Sequence, residues 1–197
     1  MSTPLLVHVC CGECVAAILE PLRRLAPFTL YFHNPNIQPL IEFRRRAKSV
    51  QTLADHEGLQ VLVDMRYDPK QWLGAVPWDR PDRCLACYRL RLGETARMAA
   101  ERDFAAVTTT LLASVHQDHD AVRAVGQDEA AARGVAFHYE DWRPLAERGH
   151  EEAKRRSLYR QQYCGCLFSE EERFAPTRLH LYRGGAQGEP GNGGGDA

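Results

Sequence analysis

Leu5-Leu6-Val7-His8-Val9-Cys10-Cys11-Gly12-Glu13-Cys14-Val15-Ala16-Ala17-Ile18-Leu19 is the stretch on which the fold turns. Its first five residues form a short β-rich run that stops at a cysteine pair, and from Cys14 the composition becomes helical. Strand, tight turn and helix in that order make a β/α unit, and the pattern repeats downstream. Phe28-Thr29-Leu30-Tyr31-Phe32 reads as a second strand, followed by the turn-rich His33-Asn34-Pro35-Asn36. Residues 39–56 read as a helix with Leu40, Phe43, Ala47, Val50 and Ala54 on one face and Arg44, Arg45, Arg46 and Lys48 largely outside it. Gly58 closes that helix and Val61-Leu62-Val63 is a third strand. Pro21 is expected to kink or end the first helix.

Residues 67–82 carry Pro and Trp and read as an irregular loop, long enough to suggest a function. Helices are expected at about 84–102, 117–133 and 150–160, with a short one near 169–173. Residues 105–112 are β-branched almost without a break and predict a central strand, and residues 135–139 predict a fifth. Such alternation implies one Rossmann-like three-layer α/β/α domain with a mostly parallel sheet, over residues 1–183. Residues 184–197 are Gly-rich and without periodicity, which predicts a disordered tail.

The charge balance excludes several functions. Lys+Arg 25 against Asp+Glu 26 leaves a formal charge of -1, so this is neither a globally basic nucleic-acid coat nor an acidic tail protein. No apolar run approaches the ~20 residues of a membrane span, and no basic segment precedes the first apolar stretch. A cytoplasmic protein without a membrane partner is therefore expected.

Seven cysteines fall into three tight groups: Cys10, Cys11 and Cys14; Cys84 and Cys87; Cys164 and Cys166. A secreted disulfide framework scatters its cysteines, whereas clustering in a cytosolic chain points to metal or redox chemistry. Cys10, Cys11 and Cys14 follow the first strand, where open α/β sheets collect ligands, and the helix behind them lowers thiolate pKa values. Zinc held by paired knuckles uses a modest spacer, while here half a domain separates Cys11 from Cys84. That dispersed spacing favours a [4Fe-4S] cluster on Cys10, Cys11, Cys84 and Cys87. Cys164-Gly165-Cys166 suits either a strained, easily reduced disulfide or two further metal thiolates.

Arginines crowd next to the cysteines: Arg83, Arg89 and Arg91 beside the second group, and Arg155, Arg156 and Arg160 before the third. Such patches hold phosphates, and equally form solvated helix faces.

These motifs resemble the QueH-type epoxyqueuosine reductase family. The resemblance runs through His8-Val9-Cys10-Cys11-Gly12, Asn34-Pro35-Asn36-Ile37, Arg83-Cys84-Leu85-Ala86-Cys87-Tyr88-Arg89-Leu90-Arg91-Leu92, Thr108-Thr109-Thr110-Leu111-Leu112, Asp141-Trp142-Arg143-Pro144 and Leu158-Tyr159-Arg160-Gln161-Gln162-Tyr163-Cys164-Gly165-Cys166. Where the family often continues Leu-Leu-x-Ser-Pro, this chain has Ala113-Ser114-Val115-His116. The resemblance implies reduction of the cyclopentane epoxide of epoxyqueuosine to queuosine at the tRNA wobble position, the last step of queuosine biosynthesis. It implies [4Fe-4S] ligation by Cys10, Cys11, Cys84 and Cys87 and a redox-active disulfide between Cys164 and Cys166. The expected partners are a tRNA carrying epoxyqueuosine, held by Arg83, Arg89, Arg91, Arg155, Arg156 and Arg160, and an unidentified electron donor. Cys14 is a candidate additional ligand, and an additional mononuclear metal is a candidate second cofactor. Two alternatives use the same cysteines: a zinc-stabilised RNA-binding module, and a cytosolic thiol oxidoreductase that needs no iron.

Overall fold

In the computed structural model, which describes residues 4–77, 79 and 82–176, β1 (Leu5–His8) is buried along its whole length. It pairs in parallel on both sides, with Leu5 opposite Phe28 of β2 (Phe28–Phe32) and opposite Ala106 of β4 (Ala106–Thr109). β3 (Val61–Val63) extends the sheet beyond β2 and β5 (Ala136–Phe137) beyond β4, giving the all-parallel order β3-β2-β1-β4-β5. A strand covered on both faces needs apolar side chains in both directions, which explains the unbroken apolar run at the start of the chain. Leu5, Val7 and Val9 join one core with Ile18, Leu22, Phe43 and Val50, while Leu6 joins Tyr31, Val107, Ala99 and Ala130 in a second.

Helices α1 (Gly12–Leu25), α2 (Leu40–Glu57) and α6 (Ala146–Arg155) pack together, and α4 (Arg83–Glu101) packs with α5 (His119–Ala131). With the sheet between these groups, the molecule is the expected three-layer α/β/α domain. Two short helices, α3 (Pro69–Ala75) and α7 (Leu167–Phe174), and two 3-10 turns, Thr110–Ala113 and Arg143–Leu145, complete the described elements. Among those residues no helix is long and apolar enough to cross a membrane. The Gly-rich residues 184–197 lie outside them.

Several expectations are corrected. Pro21 does not end α1, which continues to Leu25, because Ile18, Leu19 and Leu22 around it are buried and hold the helix through the missing hydrogen bond. The strand expected to reach residue 112 stops at Thr109, whose Oγ1 accepts from the Leu111 amide at 3.1 Å and starts a 3-10 turn over Thr110–Ala113. The stretch expected to be irregular contains α3, capped by Asp68 accepting from the Gln71 amide at 3.0 Å and anchored by buried Trp72. The helix expected at 150–160 lies at Ala146–Arg155, so residues 156–166 form an irregular segment of turns and bends outside helix and strand. Arg46, expected on the solvent face of α2, is fully buried.

Candidate functional site

The strand order changes direction at β1 and β4, and the cysteines after β1 sit at their carboxyl ends, the ligand-binding position of open α/β sheets. Cys11 caps α1, its Sγ accepting from the Cys14 amide at 3.3 Å, which turns the chain back so that one helical turn carries all three thiols. The Sγ atoms of Cys10, Cys11 and Cys14 lie within 4.8 Å of one another. Gly12 allows this: a Cβ there would come within 2.5 Å of Ser49 Oγ and 2.8 Å of the Ser49 carbonyl, so α1 starts in direct contact with the α2 backbone.

Beneath Cys10, buried His8 is held neutral, its pKa pulled down to about 3 chiefly by burial and further by the Arg91 charge. The Thr109 hydroxyl donates to His8 Nδ1 at 2.8 Å, and Nε2 donates to the His33 carbonyl at 3.2 Å. Hydrogen bonds from the Cys11 and Cys14 thiols, with Arg91 and Arg46 nearby, hold the Cys10 thiol well below its ordinary range; Cys11 and Cys14 are correspondingly pushed up by their contact with Cys10.

The second group lies at the start of α4. Cys84 is exposed and Cys87 is buried, with burial pushing the Cys87 thiol up to about 12. One turn further, Arg91 is 1% exposed. Its Nη2 donates to Asn34 Oδ1 at 2.9 Å, and Asn34 in turn donates to the Val9 carbonyl at 2.8 Å, just before Cys10. Arg91 Nε and Nη1 have no hydrogen-bond partner, and Cys87, Cys10 and Cys164 are the groups its charge acts on most.

The third group is tied down from a distance. Arg46 donates to the Cys164 carbonyl and the Tyr163 carbonyl, each at 2.9 Å, and to Gln161 Oε1 at 2.5 Å, while Glu42 accepts from its Nε at 2.6 Å. Gly165 adopts φ +134°, a conformation that favours glycine, and its carbonyl accepts from the Gln38 amide at 2.8 Å. A Cβ on Gly165 would meet Ile37 Cγ1 at 2.9 Å, so the loop presses directly on the turn after β2. Cys166 caps α7, accepting from the Ser169 amide at 3.4 Å. All seven cysteines are free thiols.

Cys10, Cys14, Cys84, Cys164 and Cys166 share the wall of one cleft of about 600 Å³, with Cys11 buried beside Cys10 and Cys87 beside Arg91. An adjoining cleft of about 320 Å³ shares Cys14, Ser114, His116 and Gln161 with it. A donor set made only of thiols suits soft or borderline metals, zinc and iron-sulfur clusters among them. The unpartnered guanidinium nitrogens fit an anionic occupant such as a thiolate-held cluster.

The arginines expected to hold phosphates are dispersed. Arg83 lines the cleft, paired with Glu172, and Arg89 is exposed on the same helix. Arg155 is exposed but paired with Glu152 at 2.6 Å, Arg156 is bonded to Glu57 and Glu152, and Arg160 lies 2.6 Å from His150. Arg91 leaves that group, because burial turns its charge toward the cysteines and away from solvent.

Sequence reasoning did not single out Arg46, Gln117 or Gln161. Gln117 Nε2 lies 3.6 Å from Cys164 Sγ while its Oε1 accepts from the Tyr88 hydroxyl at 2.9 Å, and Gln161 Nε2 lies 3.8 Å from Cys14 Sγ. Arg46 had one local signal, Glu42 four residues earlier on the same helix face. Gln161 stood inside the 158–166 stretch that carries the family resemblance, while Gln117 had no such signal.

The model of a family described as epoxyqueuosine reductase QueH matches residues 5–172. Among curated proteins, the epoxyqueuosine reductase QueH of Dehalococcoides mccartyi is 33% identical over 175 residues, covering 88% of this chain and 96% of that protein. The Thermotoga maritima protein of the same name is 33% identical over 178 residues, covering 85% of this chain and 91% of its own length. That of Histophilus somni is 31% identical over 174 residues, covering 84% and 71% respectively. With its cysteine groups gathered on one cleft and nearly its whole described length matched, the chain belongs to the epoxyqueuosine reductase QueH family.

Proposed function

We propose that this chain is an iron-sulfur enzyme that reduces epoxyqueuosine in tRNA, converting the cyclopentane epoxide at the wobble base to the alkene of queuosine and releasing water. Each turnover consumes two electrons, supplied by an external donor, and two protons. The observation that carries the reading is the gathering of three cysteine groups, distant in sequence, around one open cleft at the strand carboxyl ends.

Cys10, Cys11, Cys84 and Cys87 are the assigned ligands of a [4Fe-4S] cluster. When bound, it supplies single electrons and an exposed iron that acts as a Lewis acid toward the epoxide oxygen. Cys14 extends the thiol face at Cys10 and Cys11 and is positioned to hold a further, mononuclear metal. Cys164 and Cys166 form the redox pair: closing their disulfide releases two electrons and two protons, and the external donor reopens it. Tyr88 and His116 bring exchangeable protons to the cleft wall for the leaving oxygen. The two adjoining clefts give room for an extruded base with its cyclopentyl substituent, and Arg83, Arg89, Arg155, Arg156 and Arg160 hold phosphates of the surrounding stem-loop.

The test is anaerobic reconstitution with iron and sulfide, then incubation with tRNA carrying epoxyqueuosine and a reductant, read by mass spectrometry of the nucleosides. Loss of one oxygen atom from the modified base, dependent on the brown iron-loaded form, is expected. A colourless zinc protein that binds the RNA without converting it, or thiol exchange that proceeds without iron, would overturn the reading.

A further inference from the structure

Arg91 stands one helical turn after Cys87 on α4 and is fully enclosed. Three sides of its guanidinium can be accounted for separately. Nη2 is committed to Asn34, a neutral amide whose own nitrogen is committed to Val9. Nε and Nη1 are buried and donate to no oxygen or nitrogen, with the Cys87 thiol the group they lie beside. Glu42, a buried carboxylate, is already committed to Arg46 and Tyr159. A buried cation without a counter-charge is strongly unfavourable unless an anion completes it. The groups on which its charge acts, Cys87, Cys10 and Cys164, come one from each cysteine group. Arg46 is the contrast: it is equally buried, but Glu42 is its counter-charge and each of its three nitrogens already donates a hydrogen bond.

We propose that Arg91 is a positioning residue whose buried charge compensates the negative charge of a thiolate-held metal group and so raises that group's reduction potential. The inference rests on the cofactor reading above. Its physical basis is that each added electron adds negative charge to the occupant, and a cation fixed beside it in a low-dielectric setting stabilises the reduced form more than the oxidised one. In the metal-free protein only the thiols answer that charge, so it contributes little to the stability of the fold.

The test compares the full-length protein with Arg91→Lys, Arg91→Gln and Arg91→Met, each reconstituted anaerobically with iron and sulfide and titrated against redox mediators. Gln and Met are expected to make reduction at least tenfold less favourable, a midpoint about 59 mV more negative for one electron, with Lys close to the parent. Metal-free Gln and Met variants should melt no lower than the metal-free parent, and should gain less on loading. Unchanged midpoints in both neutral variants would overturn the proposal, as would neutral variants that fail to fold or melt lower without metal, because Arg91 would then be a structural post. If the parent protein takes up no iron, the cofactor reading fails instead, and the metal-free melting comparison alone decides the role of Arg91.

Discussion

The cysteines after β1 and those of the 164–166 loop line the same cleft, yet different physics places them. Cys10, Cys11 and Cys14 are neighbours in sequence, brought together by a strand end, a helix cap and one close backbone contact at Gly12. Cys164 and Cys166 lie in an irregular segment outside helix and strand, held by a buried arginine more than a hundred residues away and by the turn after β2. Local geometry makes the first group a preformed thiol cluster. The second is latched into place and depends on long-range polar bonds.

That contrast is broken most directly at the cysteines themselves. Replacing Cys10 and Cys11 with Ser should abolish iron uptake and turnover together, whereas replacing Cys164 and Cys166 with Ser should abolish turnover and leave most of the cluster absorption. Iron analysis and visible spectra distinguish the cases. Loss of iron in the second variant would make the two regions one ligand set.

The next largest effect is expected at the latch. Arg46→Met leaves Glu42 buried without its cation and frees the Tyr163 and Cys164 carbonyls, which should cost about 3–5 kcal/mol. Urea unfolding measures the loss, and limited proteolysis should show cleavage near residues 156–166 before the rest of the domain. Adding Glu42→Gln should recover part of the stability. A loss below the surface-pair range of about 1 kcal/mol would show that the loop holds itself.

Gly12→Ala probes the other region. Its Cβ would meet the Ser49 carbonyl as well as its hydroxyl, so α1 and α2 must separate, at about 1–3 kcal/mol in equilibrium unfolding and with weaker iron retention. Parent-like stability and retention would mean that the thiol cluster does not depend on that approach.

The smallest effect is a pH dependence at the start of the latched segment. Hydrogen bonds from Arg156 and then Arg23 hold the Glu57 carboxyl below its usual range. Its contribution is therefore fully present above the unfolded-state pKa of about 4.3 and is lost as the pH falls through the lower folded value. Glu57→Gln should cost about 0–1 kcal/mol at neutral pH, and the difference from the parent should vanish in acid. A difference that persists at low pH would assign the effect to packing.

The family resemblance, three-layer fold class and strand-helix alternation were legible because each rests on local pattern: an apolar run at Leu5–His8, a 3.6-residue stripe through Phe43, Ala47, Val50 and Ala54, and cysteine spacings that can be read without a structure. Arg46 and Arg91 were misread for one reason. In sequence an arginine among charged neighbours looks solvated, and only a partner far along the chain reveals burial.

What the sequence by itself determined was therefore the inventory: an alternating β/α chain, three cysteine groups and the arginines beside them. Covalent spacing and side-chain periodicity are local properties, and local properties survive without coordinates. Only the tertiary structure decided that Arg46 holds the C-G-C loop and that Arg91 lies against the thiols. Those outcomes depend on which buried charge finds which partner, and burial is set by the packing of elements from both ends of the chain.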